Sequence, residues 1–186
     1  MTATDAAVVV FALGWIPVFV LRSERFTERR AVAGDGERRA MMNAVLAVTV
    51  HVVLCELALR DTDPPTPAVR LVTGVLVFVV GLAFWLLARR TLVAYGRVLD
   101  PAAPPPELVT TGPFAIVRHP LALGVVIMAL GPALAAATGL TWASFAAVVV
   151  AMARRCWDDE RELAAVFGDA YARYAATTPR LIPFVW

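Results

Sequence analysis

Three short stretches in the C-terminal half hold the residues able to do chemistry. The first is Thr110–Pro120, TTGPFAIVRHP. Gly112-Pro113 is a turn signal. Arg118-His119-Pro120 stands directly before an apolar run, and a proline at the first helical position wastes no amide donor. Arg118 and His119 then sit at a helix N-terminus, where free backbone N–H groups and partial positive charge suit an anionic or polar ligand. Arg and His in such a place also serve as plain anchors at lipid headgroups. The second stretch, Trp157–Leu163, reads WDDEREL. Asp158 and Glu162 read as a solvated face. Acids beside an anionic membrane surface are best accommodated when one or two of them turn inward to an Arg or a cationic ligand. The third joins FGDAYARY at Phe167–Tyr174 to TPRLIPF at Thr178–Phe184. Phe-Gly closes a helix, two Tyr follow three apart, and prolines shape the tail. Aromatic residues so spaced fit interface packing as well as a ligand box.

The elements that carry these stretches are apolar helices. A bilayer core of about 30 Å needs roughly 20 apolar residues per span. Candidate spans run from about Ala6 to Leu21, Ala40 to Leu59, Val69 to Ala88, Pro120 to Ala137 and Leu140 to Ala153. The first has no positive charge before it and Arg22, Arg25, Arg29 and Arg30 after it, the order of an uncleaved anchor rather than a signal peptide. The third stops at Arg89-Arg90. Asp61–Pro65 is a turn suited to an antiparallel helix pair, and Thr138-Gly139 leaves room only for a tight hairpin. Beyond the fifth span, Asp159, Leu163, Phe167 and the Ala170–Tyr171–Tyr174 run keep the spacing of an amphipathic helix.

Arg placement sets the orientation. All seventeen basic residues are Arg. They concentrate between Arg22 and Arg39, after the third span (Arg89, Arg90, Arg97, Arg118), and in the tail (Arg154, Arg155, Arg161, Arg173, Arg180). The chain's start and the Thr138-Gly139 turn hold none, and the second-to-third turn has Arg60 and Arg70. Five spans with the N-terminus outside and the C-terminus cytoplasmic satisfy this pattern; four spans with one re-entrant hairpin is the alternative. The expected fold is thus an all-α integral membrane protein of about five transmembrane helices with a cytoplasmic amphipathic helix and tail. It forms one membrane domain over 1–186, with 1–100 mainly scaffold and 108–186 carrying the chemistry, in a bacterial-type inner or plasma membrane.

Composition agrees. Of the 186 residues, 60% are hydrophobic, against about 45–50% in soluble domains, and the mean hydropathy is +0.71. The net charge of +2 is small. No basic stripe is interleaved with aromatics, so no nucleic-acid partner is expected. The absence of Lys argues against a phosphate-loop mechanism. No Cys or His cluster has metal-ligand spacing. Cys55 and Cys156 fall near opposite membrane faces, too far apart for a disulfide. Inside the second span, Glu56 lies near the outer end. His51 lies deeper and is expected to be neutral and bonded to a neighbouring helix.

Taken in order, the three stretches resemble the isoprenylcysteine carboxyl methyltransferase and phospholipid methyltransferase superfamily. Its signature reads Gly-Pro-Tyr, Arg-His-Pro-x-Tyr-x-Gly, an apolar hairpin, Glu-Glu-x-x-Leu, Phe-Gly-x-x-Tyr-x-x-Tyr and Pro-Arg-x-x-Pro. The matching residues are Gly112, Pro113, Arg118, His119, Pro120, Gly124, Glu160, Leu163, Phe167, Gly168, Tyr171, Tyr174, Pro179, Arg180 and Pro183. The departures are Phe114, Ala122 and Asp159, where the family has Tyr, Tyr and Glu. Ala122 removes bulk and a hydroxyl, which bears on the substrate more than on the cofactor.

The resemblance implies a methyltransferase using S-adenosylmethionine on the cytoplasmic side, with a lipophilic or prenylated acceptor arriving from the bilayer. It implies Arg118 and Glu160 as catalytic residues. Glu160 would pair with the cofactor's amino group or orient Arg118, and Arg118 would hold the acceptor's charge or the cofactor carboxylate. Gly112, Pro113, Phe114, Val117, His119, Pro120, Tyr171, Arg180 and Leu181 are the implied cofactor-binding residues, with no metal. A carboxylate or thiolate acceptor needs no strong base; an amine or phenol would need one, and His119 or Glu160 could serve. Two other readings stand beside this one: a membrane reductase of sterol type using a nicotinamide cofactor, and a non-enzymatic helical membrane protein.

Overall fold

Long apolar runs satisfy their backbone polar groups internally by coiling into helices, the economical solution where lipid rather than water surrounds them. The computed structural model describes residues 2–19, 35–61, 66–96 and 108–182, and these are helical apart from short connections. Helix α1 spans Ala3–Gly14, and its helical course resumes over 16–19. Then come α2 (Asp35–Arg60), α3 (Ala68–Gly96), a 3-10 turn (Gly112–Ala115), α4 (Pro120–Ala136), α5 (Gly139–Phe167) and α6 (Asp169–Thr177). The Pro101–Pro106 stretch, most of the Arg22–Arg39 segment and Pro183 lie outside the described residues.

Local chemistry explains most boundaries. Thr2 and Asp5 close a reciprocal capping box on α1, supplying acceptors for two otherwise orphaned N-terminal donors. Pro120 takes the first position of α4, with His119 as its N-cap. The expected hairpin is a two-residue connection, Ala137-Thr138, in which Thr138 and Thr141 cap α5. Gly168, at φ +49°, ends α5 and turns the chain into α6.

Two boundaries differ from expectation. Helix α3 does not stop at Arg89-Arg90 but continues to Gly96. Arg is a good helix former and does not end a helix; the apolar Thr91–Ala94 run continues it. The cytoplasmic amphipathic helix is not separate from the fifth apolar segment either. Helix α5 runs unbroken for 29 residues, so the acidic stretch is the same rigid rod as the apolar one.

Helices α3 and α4 form the tightest pair. A Cβ on Gly74 would lie 2.6 Å from the Gly131 carbonyl oxygen, and one on Gly131 would lie 2.5 Å from that of Gly74. Only glycine permits this backbone approach. Helix α1 packs on α3 through Phe11 and Phe78, with ring centroids 5.3 Å apart. Helix α2 packs mainly on α5. At their junction His51, fully buried, faces the Ala129 carbonyl of α4 through Nε2 and Ser144 Oγ of α5 through Nδ1, both at 2.8 Å. The carbonyl can only accept, so Nε2 carries the proton, and Nδ1 of the neutral ring accepts from Ser144.

Apolar side chains also cover the outside. Met42, Leu46, Val50, Val53 and Leu57 line an exposed stripe of α2, and Val72, Leu76, Val79, Val80 and Leu87 stand exposed on α3. Such a surface suits lipid rather than water. Residues Arg39–Arg60 and Ala68–Ala94 are long and apolar enough to cross a membrane, while Ala3–Phe19 and Pro120–Ala136 form shorter apolar helices.

Candidate active site

The polar chemistry gathers where the 3-10 turn, the start of α4, the distal half of α5, α6 and the tail meet. The turn is set by Gly112, whose φ of +61° suits glycine. A Cβ there would also come within 3.2 Å of Thr91 Oγ1 on α3. Pro113, Phe114 and Val117 bury the turn's inner side. Tyr174 of α6 holds it from the other side, its hydroxyl donating to the Phe114 carbonyl at 2.6 Å.

The tail then crosses the start of α4. The Arg118 N–H donates to the Pro179 carbonyl at 2.8 Å and the His119 N–H to that of Arg180 at 3.1 Å. These two amides, expected from the sequence to be free for a ligand, are therefore occupied by the chain itself. The clamp sets the Arg118 and Arg180 side chains to converge on α5.

Their target is Glu160. Its carboxylate accepts from Arg180 Nε at 2.9 Å and Nη2 at 2.7 Å, a two-pronged contact. Arg118 Nη1 lies at 2.9 Å and His119 Nε2 at 3.3 Å. A carboxylate offers about four lone-pair sites, and these four donors occupy them. Burial works to raise the Glu160 pKa, but Arg180, Arg118 and His119 outweigh it and hold the group below its ordinary value. Burial lowers the His119 pKa, opposed by the charges of Asp159 and Glu160, and favours the neutral ring. Two guanidiniums against one carboxylate leave a net positive charge.

Beside Glu160 opens a pocket of about 420 Å³ lined by Trp157, Glu160, Arg161, Ala164 and Tyr171. Trp157 also stacks with Arg180, whose guanidinium carbon lies 5.6 Å from the ring centroid. Tyr171 is 5% exposed. Its hydroxyl is buried and feels the charges of Glu160 and Arg118, yet hydrogen-bonds to neither. Burial, followed by the Glu160 charge, raises its pKa, so the phenol stays protonated. Arg118 Nε is likewise buried without a partner. Cys156 is no nucleophile here: burial, then the Asp159 charge, pushes its thiol up to about 12.

Of the site residues read from the sequence, Arg118, His119, Glu160, Arg180 and Tyr171 come together. Pro120 starts the helix behind them. Gly112, Pro113, Phe114 and Val117 form the supporting turn, and Leu181 follows Arg180 in the tail; none of these five lines the pocket. Sequence reading missed Trp157, Arg161 and Ala164 as pocket walls and Tyr174 as the clamp on the turn. The 157, 160, 161, 164 spacing is one helical face and could have revealed the first three. The remaining acids behave as expected: Asp159 pairs with Arg155 at 3.4 Å, Asp158 approaches Arg161 at 3.8 Å on the outer side, and Glu162 is exposed.

A family model for phospholipid methyltransferases matches residues 69–170, more than half of the chain. The chain belongs to the phospholipid methyltransferase family. Membership implies methyltransferase activity and, with the apolar helices, a membrane protein. No individual curated protein matches the chain. The matched span of this family member contains Arg118, His119 and Glu160 but ends before Tyr171, Tyr174 and Arg180. The tail's part in the site therefore rests on geometry.

Proposed function

We propose that this chain is an S-adenosylmethionine-dependent methyltransferase acting on a lipophilic acceptor that carries a carboxylate, of isoprenylcysteine type or a related lipid, at the cytoplasmic membrane face. The observation that carries this reading is the Glu160 centre, where Arg118, His119 and Arg180 converge beside a pocket. The residues fit the cofactor in three respects. The pocket lies in the range of small-molecule sites, about 300–1,000 Å³; Trp157 offers an aromatic wall; and the buried, unpartnered Tyr171 hydroxyl and Arg118 Nε are groups that a ligand would satisfy.

S-adenosylmethionine, when bound, supplies an electrophilic methyl group on a sulfonium. The chain's task is alignment and exclusion of water. His119 and the Gly112–Pro113 turn support the cofactor side of the pocket. Glu160 holds Arg118 and Arg180 in place, and Arg118 faces a ligand's negative charge. Glu160 is a poor base, with its pKa held down and its lone pairs engaged. A carboxylate acceptor, already ionised, needs no base, which favours it over an amine. In this reading the chain crosses the membrane about five times, N-terminus outside and C-terminus cytoplasmic, and the acceptor reaches the site from the bilayer.

Calorimetric titration of the detergent-purified protein with S-adenosylmethionine and S-adenosylhomocysteine tests the reading, with a nicotinamide cofactor in parallel and His119→Ala as control. Saturable binding of the adenosyl compounds, weakened in the variant, is expected. Binding of the nicotinamide alone would replace this reading with the reductase one.

A further inference from the structure

A donor buried without a partner is costly, by about 1–3 kcal/mol, and a native structure that keeps one generally has a use for it. The Glu160 centre keeps two. Tyr171 Oη lines the pocket, with its residue 5% exposed. Arg118 Nε is buried, on a side chain 12% exposed whose Nη1 is already committed to Glu160.

Both groups present hydrogens. A guanidinium has no acceptor at all. Tyr171 keeps its proton, so its O–H is free to be donated. The local charge is positive, because Arg118 and Arg180 outnumber Glu160. A ligand ammonium would meet repulsion there, and the four donors on Glu160 leave that carboxylate no lone pair to offer it. What suits two convergent donors in a positive field is a group made of acceptors with negative charge.

Resting on the methyltransferase reading, we infer that Tyr171 and Arg118 form a seat for a ligand carboxylate, with Tyr174 as the positioning residue that sets Tyr171. Tyr174 holds this place through its bond to the Phe114 carbonyl and through its ring, edge-on to Tyr171 at 6.2 Å between centroids. Two ligands could bring the carboxylate: the amino-acid end of the adenosyl cofactor, or the lipophilic acceptor.

Tyr171→Phe isolates the seat, because the lost hydroxyl makes no bond in the protein. Thermal stability of the ligand-free variant should equal or exceed that of wild type. Binding is then measured for S-adenosylhomocysteine against 5′-methylthioadenosine, which lacks the amino-acid end, and for palmitate against methyl palmitate in detergent. If the cofactor fills the seat, the variant binds S-adenosylhomocysteine roughly tenfold more weakly, as expected for one hydrogen bond to a charged group, with methylthioadenosine unchanged. If the acceptor fills it, palmitate binding falls by a similar factor and methyl palmitate is unchanged. Both acids binding the variant as tightly as wild type would overturn the seat and leave the methyltransferase reading standing. Wild type that binds palmitate in a Tyr171-dependent way but no adenosyl compound would sink the methyltransferase reading and keep the seat. Tyr174→Phe should weaken the same carboxylate ligand to a lesser degree.

Discussion

Two buried polar centres sit in this molecule, one within the apolar bundle and one at its polar end, and they differ in how completely they are satisfied. His51 ties α2 to α4 and α5, and both ring nitrogens have partners at 2.8 Å. Glu160 ties α5 to the α4 entrance and the tail, and its carboxylate is saturated, but its neighbours Arg118 and Tyr171 each keep a buried donor without a partner. A closed network specifies and rigidifies a fold. An open one beside a pocket marks where something else must bind. The burial of a polar residue is thus a weaker sign of function than the state of its partners' remaining hydrogen-bonding groups.

The comparison can be broken most forcefully at Glu160. Glu160→Gln leaves two partly buried guanidiniums without their counter-charge, and removing one member of a buried ion pair costs about 3–5 kcal/mol. Exposure of 11–17% around this centre places the expected loss toward the lower end. Thermal melting in detergent should fall clearly and methyl transfer should disappear. His51→Ala should cost about 2 kcal/mol, because it leaves the Ala129 carbonyl and the Ser144 hydroxyl without a partner in a dry interior. Ligand affinity per folded molecule should be unchanged, and a changed affinity would mean that the bundle centre is not purely structural. Tyr174→Phe removes one neutral hydrogen bond, about 1 kcal/mol, read as a modest drop in melting temperature.

Acidity sharpens the same contrast. His119 is held below its ordinary 6.5, so the unfolded chain binds the proton first and stability falls as pH drops from that value through the folded pKa. Glu160 is held below its ordinary 4.5, so its contribution is present above that value and is lost as pH falls through its lowered pKa. Melting measured at pH 7.5 and at pH 5.5 should show wild type losing stability on acidification. His119→Ala should show a smaller loss over this interval, which lies above the Glu160 range. A variant as acid-sensitive as wild type would contradict the assignment of that window to His119.

The features legible in the sequence are those written locally. Pro120 announces the start of α4, Thr138-Gly139 the hairpin, and Phe167-Gly168 the end of α5, each through the backbone preference of one or two residues. Arg118, His119 and Glu160 were also legible, as charged residues beside apolar helices. The end of α3 was not, because a charged pair was read as a stop although Arg is no helix breaker. The tail clamp on the Arg118 and His119 amides joins residues about sixty apart in sequence, and nothing local announces it. Whether Tyr171 keeps or loses a partner is likewise decided by the packing of three segments, beyond the reach of spacing.

The most direct test of the account is transfer itself. Membranes containing the protein are incubated with S-adenosylmethionine labelled in its methyl group, and radioactivity is followed into the lipid-soluble fraction, with Glu160→Gln membranes of matched protein content alongside. The account predicts label in lipid for wild type, released as methanol by mild base as a methyl ester would be, and none for the variant. Base-stable label would contradict the carboxylate acceptor, and label that persists undiminished in Glu160→Gln would contradict the central role given to the Glu160 centre.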